Sequence, residues 1–118
     1  MIKEYKDLIV WQKSILLVKD IYLITKQFPK EEVYNLTSQM RRSAISVPSN
    51  IAEGYCRRNK KEYIQFLGIA SGSAAELETQ IIIAKEIYSH SDYVKAESLL
   101  QEIRKMLFVL VKKLNSLP

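Results

Sequence analysis

Apolar residues recur at alternating intervals of three and four along most of this chain. In the third and most regular segment the alternation holds through seven steps, at Tyr63, Leu67, Ala70, Ala74, Leu77, Ile81, Ala84 and Tyr88. This spacing keeps one side of an α-helix turned toward a neighbouring helix, at a period of about 3.5 residues. It therefore predicts a long packed helix over residues 60–89.

Three other segments carry the same spacing. The apolar positions are Leu8, Trp11, Ile15, Val18, Tyr22 and Thr25 in the first, Leu36, Met40, Ala44, Val47, Ile51 and Tyr55 in the second, and Tyr93, Ala96, Leu100, Ile103, Leu107, Leu110, Leu114 and Leu117 in the fourth. They predict helices over residues 7–27, 36–58 and 92–116. Because the links between helices are short, we expect an all-α fold, an up-and-down antiparallel four-helix bundle with left-handed packing. Residues 1–118 would form a single domain.

Two local signals refine these helices. Pro48 stands inside the second helix, where proline removes a backbone hydrogen bond and crowds the carbonyl four residues back. We expect a bend near Ser46 in a continuous helix, because the apolar spacing keeps its phase across Pro48. At the start of the third helix, Asn59 is expected to act as the N-cap, with Glu62 as its reciprocal partner.

Composition limits the class of protein. A hydrophobic content of 47% with only three glycines and three prolines favours a folded domain over a disordered chain. The single cysteine, Cys56, forms no internal disulfide, and no charged leader followed by an apolar run opens the chain. No apolar run approaches the roughly 20 residues of a membrane span. These features predict a cytoplasmic protein without a membrane partner.

Positive charge is concentrated in one stretch of the sequence. Residues 39–61 contain six basic residues and one acid, Glu53, whereas the other 95 residues contain 12 bases and 12 acids and sum to zero. A local excess of cations attracts phosphate-bearing partners before any specific contact forms. A solvated helix face is the alternative. The candidate nucleic-acid-binding residues, for RNA or DNA, are Arg41, Arg42, Arg57, Arg58, Lys60 and Lys61.

Polar residues also occupy positions with the spacing of a packed face. A second stripe follows the second helix, and Ser73, Glu76 and Gln80 match it on the third helix. Either both faces are solvated, or they meet each other or a neighbouring subunit, since buried polar groups need partners. The candidates for a subunit interface or buried polar network are Gln39, Ser43, Ser46, Asn50, Glu53, Ser73 and Glu76.

Two glycines lie inside the third helix, where each costs about 1 kcal/mol relative to alanine. Gly68 and Gly72 are four residues apart and therefore share a face of the helix. Close approach of another backbone would explain them. That backbone belongs either to the same bundle or to another subunit.

A catalytic function is not expected. A di-metal carboxylate bundle requires two histidines in Glu-x-x-His motifs, and this chain has only His90, between two serines. Cys56 lies among arginines but has no histidine or second cysteine to accompany it. Phosphate-binding loops and nucleophile elbows are absent. We predict a protein that is not an enzyme and has no cofactor and no metal site.

Several runs resemble a known family. The stretch from Ser38 to Gly54, SQMRRSAISVPSNIAEG, is similar to the signature of the bacterial four-helix-bundle proteins named after intervening sequences of large-subunit ribosomal RNA. The run from Phe66 to Thr79 and the opening LIVWQ continue the resemblance. It implies a ring-like homopentamer with a positively charged surface and no accepted enzymatic activity. A related branch comprises the accessory proteins of diversity-generating retroelements, which bind nucleic acid and a reverse transcriptase.

The resulting hypothesis is a non-enzymatic, oligomeric helical bundle that binds nucleic acid through a basic surface. Its partners would be other copies of itself, in the pentamer that the resemblance implies, and RNA or DNA. The rival hypothesis is a protein-interaction scaffold, such as an accessory subunit for a reverse transcriptase or another nucleic-acid enzyme. In the rival, the arginines would pair with acids such as Glu53 or Glu76 across subunits.

Overall fold

Four helices make up the computed structural model, which describes residues 1–118. Short 3-10 helices precede α1 and α2, and no strand is present. The elements are a 3-10 helix at Tyr5–Asp7, α1 at Ile9–Thr25, a 3-10 helix at Lys30–Glu32, α2 at Leu36–Tyr55, α3 at Lys60–Ile87 and α4 at Val94–Asn115. The prediction of an all-α four-helix bundle is confirmed.

The helices form an elongated body of 50 × 23 × 21 Å. Helix α1 packs against α2 and α4, and α3 packs against the same two helices. The links are too short to cross the bundle, so successive helices run in opposite directions. Both the N-terminal segment and the end of α4 therefore lie at the same end as the α2–α3 turn. None of the four helices contains an apolar stretch long enough to cross a membrane.

Helix α2 ends three residues before the predicted limit at residue 58. Cys56 adopts the C-cap position and donates its backbone N–H to Ala52, and the chain then turns through residues 57–58 to an extended Asn59. Helix α1 also ends early, at Thr25. The Lys26 N–H still bonds four positions back to Tyr22, whereas Gln27 and Phe28 bond three positions back, to Ile24 and Thr25.

The core contains 22 buried apolar residues contributed by all four helices and the links. The predicted faces of α2, α3 and α4 are confirmed, since Met40, Leu77 and Ile103 are fully buried or nearly so, as are most positions in phase with them. Burying each large side chain of this kind contributes about 1.5–3 kcal/mol. The spacing of apolar residues along the sequence thus predicts most of the buried core of the bundle.

The predicted face of α1 is confirmed only in part: Thr25 is buried, and Leu8, Trp11 and Val18 pack half-buried against the core. Ile15 and Tyr22 are exposed, whereas the core contains a different stripe, which also alternates intervals of four and three. Its members are Val10, Ser14, Leu17, Ile21 and Ile24. Because α1 carries two apolar stripes with the same spacing, spacing alone does not select between them. The predicted stripe lies at the edge of the α1–α2 contact, where Trp11, Ile15 and Val18 line a shallow groove with α2.

Pro48 does not interrupt α2, which is one helix from end to end as predicted. The Asn50 side chain donates hydrogen bonds to the Ser46 carbonyl at 2.8 Å and to the Ser46 hydroxyl at 2.9 Å. The carbonyl that loses its donor to Pro48 is that of Ala44, so the Asn50 bonds add to the hydrogen bonding near the proline without replacing the lost one.

The predicted cap of α3 is confirmed with one difference. The Asn59 side-chain oxygen accepts the Glu62 backbone N–H at 2.9 Å, as an N-cap should. The Glu62 carboxylate accepts from the Asn59 side-chain amide at 2.8 Å instead of from the Asn59 backbone. Both bonds fix the direction in which α3 leaves the turn after α2.

Glycine is required at a position that the sequence did not single out. A methyl group at Gly54 would lie 2.7 Å from Phe66 Cβ and 3.2 Å from the Tyr63 carbonyl oxygen. Gly54 therefore lets the end of α2 approach the first turns of α3. In contrast, a Cβ at Gly68 or Gly72 would meet nothing within 4 Å. Their proposed role in a tight contact within the bundle is therefore wrong.

These two environments predict opposite effects of adding a methyl group. Gly54→Ala is expected to lower the free energy of unfolding, because overpacking costs about 1–3 kcal/mol against a helix-propensity gain of about 1 kcal/mol. Gly72→Ala, the matched control, is expected to raise it by about 0.5–1 kcal/mol. Urea denaturation measures both, and sedimentation of each variant separates lost assembly from lost packing. A Gly54→Ala protein as stable as Gly72→Ala would contradict the assigned contact.

Candidate functional site

Four of the six candidate cations lie around the α2–α3 turn. Arg57 and Arg58 precede the cap residue Asn59, and Lys60 and Lys61 open α3. The Lys60 ammonium donates to the Leu117 carbonyl at 2.7 Å, which joins the turn to the residues that follow α4. The turn and the C-terminal residues of the chain thus form one surface.

Charge is distributed unevenly between the two halves of the bundle. If each helix is divided at its midpoint, the half that contains the α2–α3 turn comprises residues 1–17, 46–73 and 105–118. We call it the basic half, because it holds ten basic residues and four acids, a balance of +6. The other half, residues 18–45 and 74–104, holds eight bases and nine acids, a balance of −1. The whole excess of positive charge therefore lies in one half.

The cations of the α2–α3 turn are largely unpaired. Arg57 forms an ion pair with Glu53 at 2.9 Å, one helical turn away, and its guanidinium lies 4.7 Å from the centre of the Phe66 ring. Both members of this pair are substantially exposed, and such pairs contribute about 0–1 kcal/mol. Arg58, Lys60 and Lys61 have no carboxylate within ion-pair distance. Their charge remains available to a phosphate.

Arg41 and Arg42 lie apart from this cluster, in the other half of the bundle. The two arginine pairs are about 16 residues apart, but only Arg41 and Arg42 lie on α2, where the stretch from Arg41 to the helix end at Tyr55 corresponds to roughly 21 Å. Arg41 is half-buried, since its Nε donates to the Thr25 hydroxyl at 2.9 Å and its guanidinium stacks 4.3 Å from the Tyr22 ring centre. Arg42 is exposed and unpaired. The six candidate residues therefore form two separate sites.

The polar stripes of α2 and α3 meet along a groove between these helices. The Ser46 and Ser73 hydroxyls are hydrogen-bonded at 2.7 Å, and the Asn50 bond to Ser46 extends the network. The groove has a volume of about 360 Å³ and no apolar lining residue. We call it the polar groove, and it is lined by Gln39, Arg42, Ser43, Ser46, Ser73, Glu76 and Gln80.

The predicted network residues divide by exposure. Ser43 and Ser73 are buried, at 7% and 6% exposed, and Ser46 and Asn50 are half-buried. Gln39, Glu53 and Glu76 are exposed in the single chain. Arg42 and Glu76 line the same groove from α2 and α3 but do not approach within ion-pair distance. The groove therefore has a packed floor and a charged rim.

The two tyrosines beside the basic cluster pack against each other. The rings of Tyr55 and Tyr63 meet edge to face with their centres 6.0 Å apart. Burial first, and then the neighbouring Tyr55, raises the pKa of Tyr63 to about 12, so its hydroxyl is neutral at physiological pH. Both rings are half-buried. They stabilise the end of the bundle and present little free surface for stacking.

Sequence reasoning missed the contribution of the C-terminal helix to the basic half. Lys105, Lys112 and Lys113 lie on α4 and are exposed without an acidic partner. They are distant in sequence from the turn, although an up-and-down topology places the last helix end beside it. No group of three or more histidine, cysteine or acidic side chains is arranged to hold a metal ion. Cys56 and His90 lie at opposite ends of α3.

Comparison with known proteins identifies a family and solved structures with a similar fold. The family described as 23S rRNA-intervening sequence protein matches residues 6–109. A crystal structure from Bacteroides thetaiotaomicron VPI-5482, described as a protein of unknown function from the S23 ribosomal protein family, has a similar fold, with a TM-score of 0.76. The two chains are 24% identical, and the match covers 88% of this chain and 99% of that one. No curated protein matches this chain.

The Ser46–Ser73 bond provides a direct test of the polar groove. Ser46→Ala and Ser73→Ala are each expected to destabilise the protein, because the first leaves the buried Ser73 hydroxyl without its partner and the second leaves the Ser46 hydroxyl bonded only to Asn50. In a double-mutant cycle, the two effects should couple by about 0.5–1.5 kcal/mol in the free energy of unfolding. Thr79→Ala on the exposed side of α3 serves as the control. Additive effects of the two serine variants would show that the hydroxyls do not interact.

Proposed function

Because this chain belongs to the 23S rRNA-intervening sequence protein family, we propose that it is a non-enzymatic, self-associating helical bundle that binds nucleic acid through its basic half. The observation that carries the proposal is the charge balance of +6 in that half against −1 in the other. The family description concerns ribosomal RNA, so a structured RNA is the first ligand to test. Such a role belongs in the cytoplasm.

Binding would rest mainly on the turn between α2 and α3. Arg58, Lys60 and Lys61 have no acidic partner, and the exposed Glu53 pair holds Arg57 only weakly. Arginine and lysine in such positions contact phosphates and release the counterions condensed around them. These contacts carry no base information, so the proposed binding is not sequence-specific.

Arg41 and Arg42 would form a second, more distant contact. A duplex or folded RNA that extends roughly 20 Å or more, from Arg41 to the turn after the end of α2, can touch both arginine pairs. Arg41 is held in place by Thr25 and Tyr22, neither of which neutralises its charge. The surrounding half is slightly acidic overall, so this second contact would add less affinity than the turn.

Self-association would use the polar groove. Arg42 and Glu76 stand on its rim without pairing in the single chain. Each is free to pair with the opposite residue of another copy, which would place Gln39 and Ser43 in the interface as well. A ring of five copies, the assembly that the family resemblance implies, would repeat the basic half five times and raise avidity for a long ligand.

Charge reversal tests the nucleic-acid proposal. A variant with Arg57→Glu, Arg58→Glu and Lys61→Glu is expected to lose binding to a structured RNA, measured by fluorescence anisotropy across a salt series. The matched control reverses Lys19, Lys26 and Lys30, which are exposed, have no acidic partner and lie in the other half. This control changes the net charge by the same amount. Its affinity for the RNA is expected to stay within about threefold of the wild-type affinity, because it removes no phosphate contact.

Equal losses of RNA affinity in both triple variants would mean that net charge alone drives binding and that the basic half is not a specific binding site. No loss in either variant would refute the nucleic-acid proposal and favour the protein-scaffold hypothesis. Circular dichroism and sedimentation of both variants verify that fold and assembly are intact.

A charge swap tests the proposed interface. The wild-type chain is expected to sediment as a multiple of its 13.7 kDa, five for the ring. Glu76→Arg should dissociate the assembly, because it places two cations on one rim, and a second change, Arg42→Glu, should restore it. Thr79→Arg, on the exposed side of the same helix, is the control. An assembly that survives Glu76→Arg unchanged would exclude Arg42–Glu76 pairing between copies.

A further inference from the structure

Phe108 is a large aromatic residue left in solvent on α4. Its side chain is 70% exposed, although phenylalanine is normally among the more buried residue types. No other aromatic ring pairs with it, and no lysine or arginine of the chain lies over it. The bundle therefore gains little stability from this ring.

The neighbouring helix leaves the ring uncovered. Arg104 of α4 contacts Glu78 of α3 at 2.7 Å, which fixes the register of the two antiparallel helices. One turn further along α4, Phe108 lies level with the small residues of α3 around Gly72. A Cβ at Gly72 would meet nothing within 4 Å, so the space beside this glycine is open, and the Phe108 ring stays 70% exposed.

Cations flank Phe108 on the same face of α4. Lys105 lies three residues before it and Lys112 four residues after it, the two spacings that place helical residues side by side. Both lysines are exposed and have no acidic partner. Seven residues separate them, which corresponds to about 10 Å along the helix axis. An exposed aromatic ring between two free cations is the arrangement with which proteins bind single-stranded nucleic acid.

We propose that Phe108 is a stacking platform for an unpaired base, with Lys105 and Lys112 holding the phosphates on either side. The inference rests on the proposed nucleic-acid function and narrows its ligand class to single-stranded or looped RNA or DNA. Every base has a π-face, so the site accepts any sequence but requires a base that is not already paired and stacked. A duplex would contact the lysines without using the ring.

The experiment compares a single-stranded oligoadenylate with a duplex of the same length, using the full chain and fluorescence anisotropy. Phe108→Ala is expected to weaken oligoadenylate binding about fivefold or more and to change duplex binding less than about twofold, because a duplex offers no free base face. Phe108→Trp should keep the affinity, whereas Phe108→Leu, which is apolar but not aromatic, should behave like the alanine variant.

The matched control is Val94→Ala. Val94 is also on α4, is 71% exposed and lies in the half without excess charge. This variant should bind both ligands like the wild type. The salt dependence supplies a second readout, the slope of log affinity against log salt concentration. Phe108→Ala should leave this slope unchanged, whereas Lys112→Ala should reduce its magnitude for a single strand by about 0.7.

The outcomes separate this inference from the broader proposal. Loss of binding on reversal of Arg57, Arg58 and Lys61, with no effect of Phe108→Ala, would overturn the stacking site and leave the basic half as the nucleic-acid surface. Retention of affinity by Phe108→Leu, or a change in sedimentation without a change in affinity, would overturn it in favour of an apolar contact between proteins. Failure of the wild-type chain to bind either ligand would overturn both.

Discussion

The close approach of α2 to α3 is the contact on which the rest of the structure depends. At one end, Gly54 lets α2 come within van der Waals distance of Phe66 and the Tyr63 backbone. In the middle, the Ser46 and Ser73 hydroxyls are hydrogen-bonded at 2.7 Å, which joins two small side chains across the helix contact. This approach forms the floor of the polar groove, and together with the Asn59 cap it fixes the turn that carries Arg57 to Lys61. The contact between α2 and α3 therefore both stabilises the bundle and positions the candidate functional residues.

Much of the fold follows from short-range rules that the sequence displays. The spacing of apolar residues predicts α2, α3 and α4 with their buried faces, and the cap at Asn59 follows from residue types at fixed offsets. The face of α1 does not follow, because Leu17 and Val18 belong to two stripes of equal spacing, and only the packing of α2 and α4 selects the first. The position of Gly54 near a helix end does not by itself show that glycine is needed there. Glycine is needed because Phe66, a residue on another helix, occupies the space that a Cβ would fill.

The candidate site depends more on tertiary structure. Along the chain, Arg41 to Lys61 looks like a single basic region, yet Arg41 and Arg42 lie in the first half of α2 and Arg57 and Arg58 follow its end at Tyr55, so the two arginine pairs lie in different halves of the bundle. Conversely, Lys112 and Phe108 are remote from the turn in sequence but share its half, since four antiparallel helices bring the last one back beside it. Electrostatic reasoning from sequence windows fails here because a 20-residue helix is longer than the Debye length of about 8 Å at physiological salt. Topology must be known before charges are grouped.

The bond from Lys60 to the Leu117 carbonyl has a practical consequence for anyone who handles this protein. Both chain termini emerge beside the α2–α3 turn, so an affinity tag or fluorescent fusion attached at either one would crowd the surface that carries the positive charge. A polyhistidine tag would further alter its local charge at mildly acidic pH. The exposed residues Ser89, His90 and Asp92, in the link at the opposite end of the molecule, are better positions for a label or an immobilisation handle.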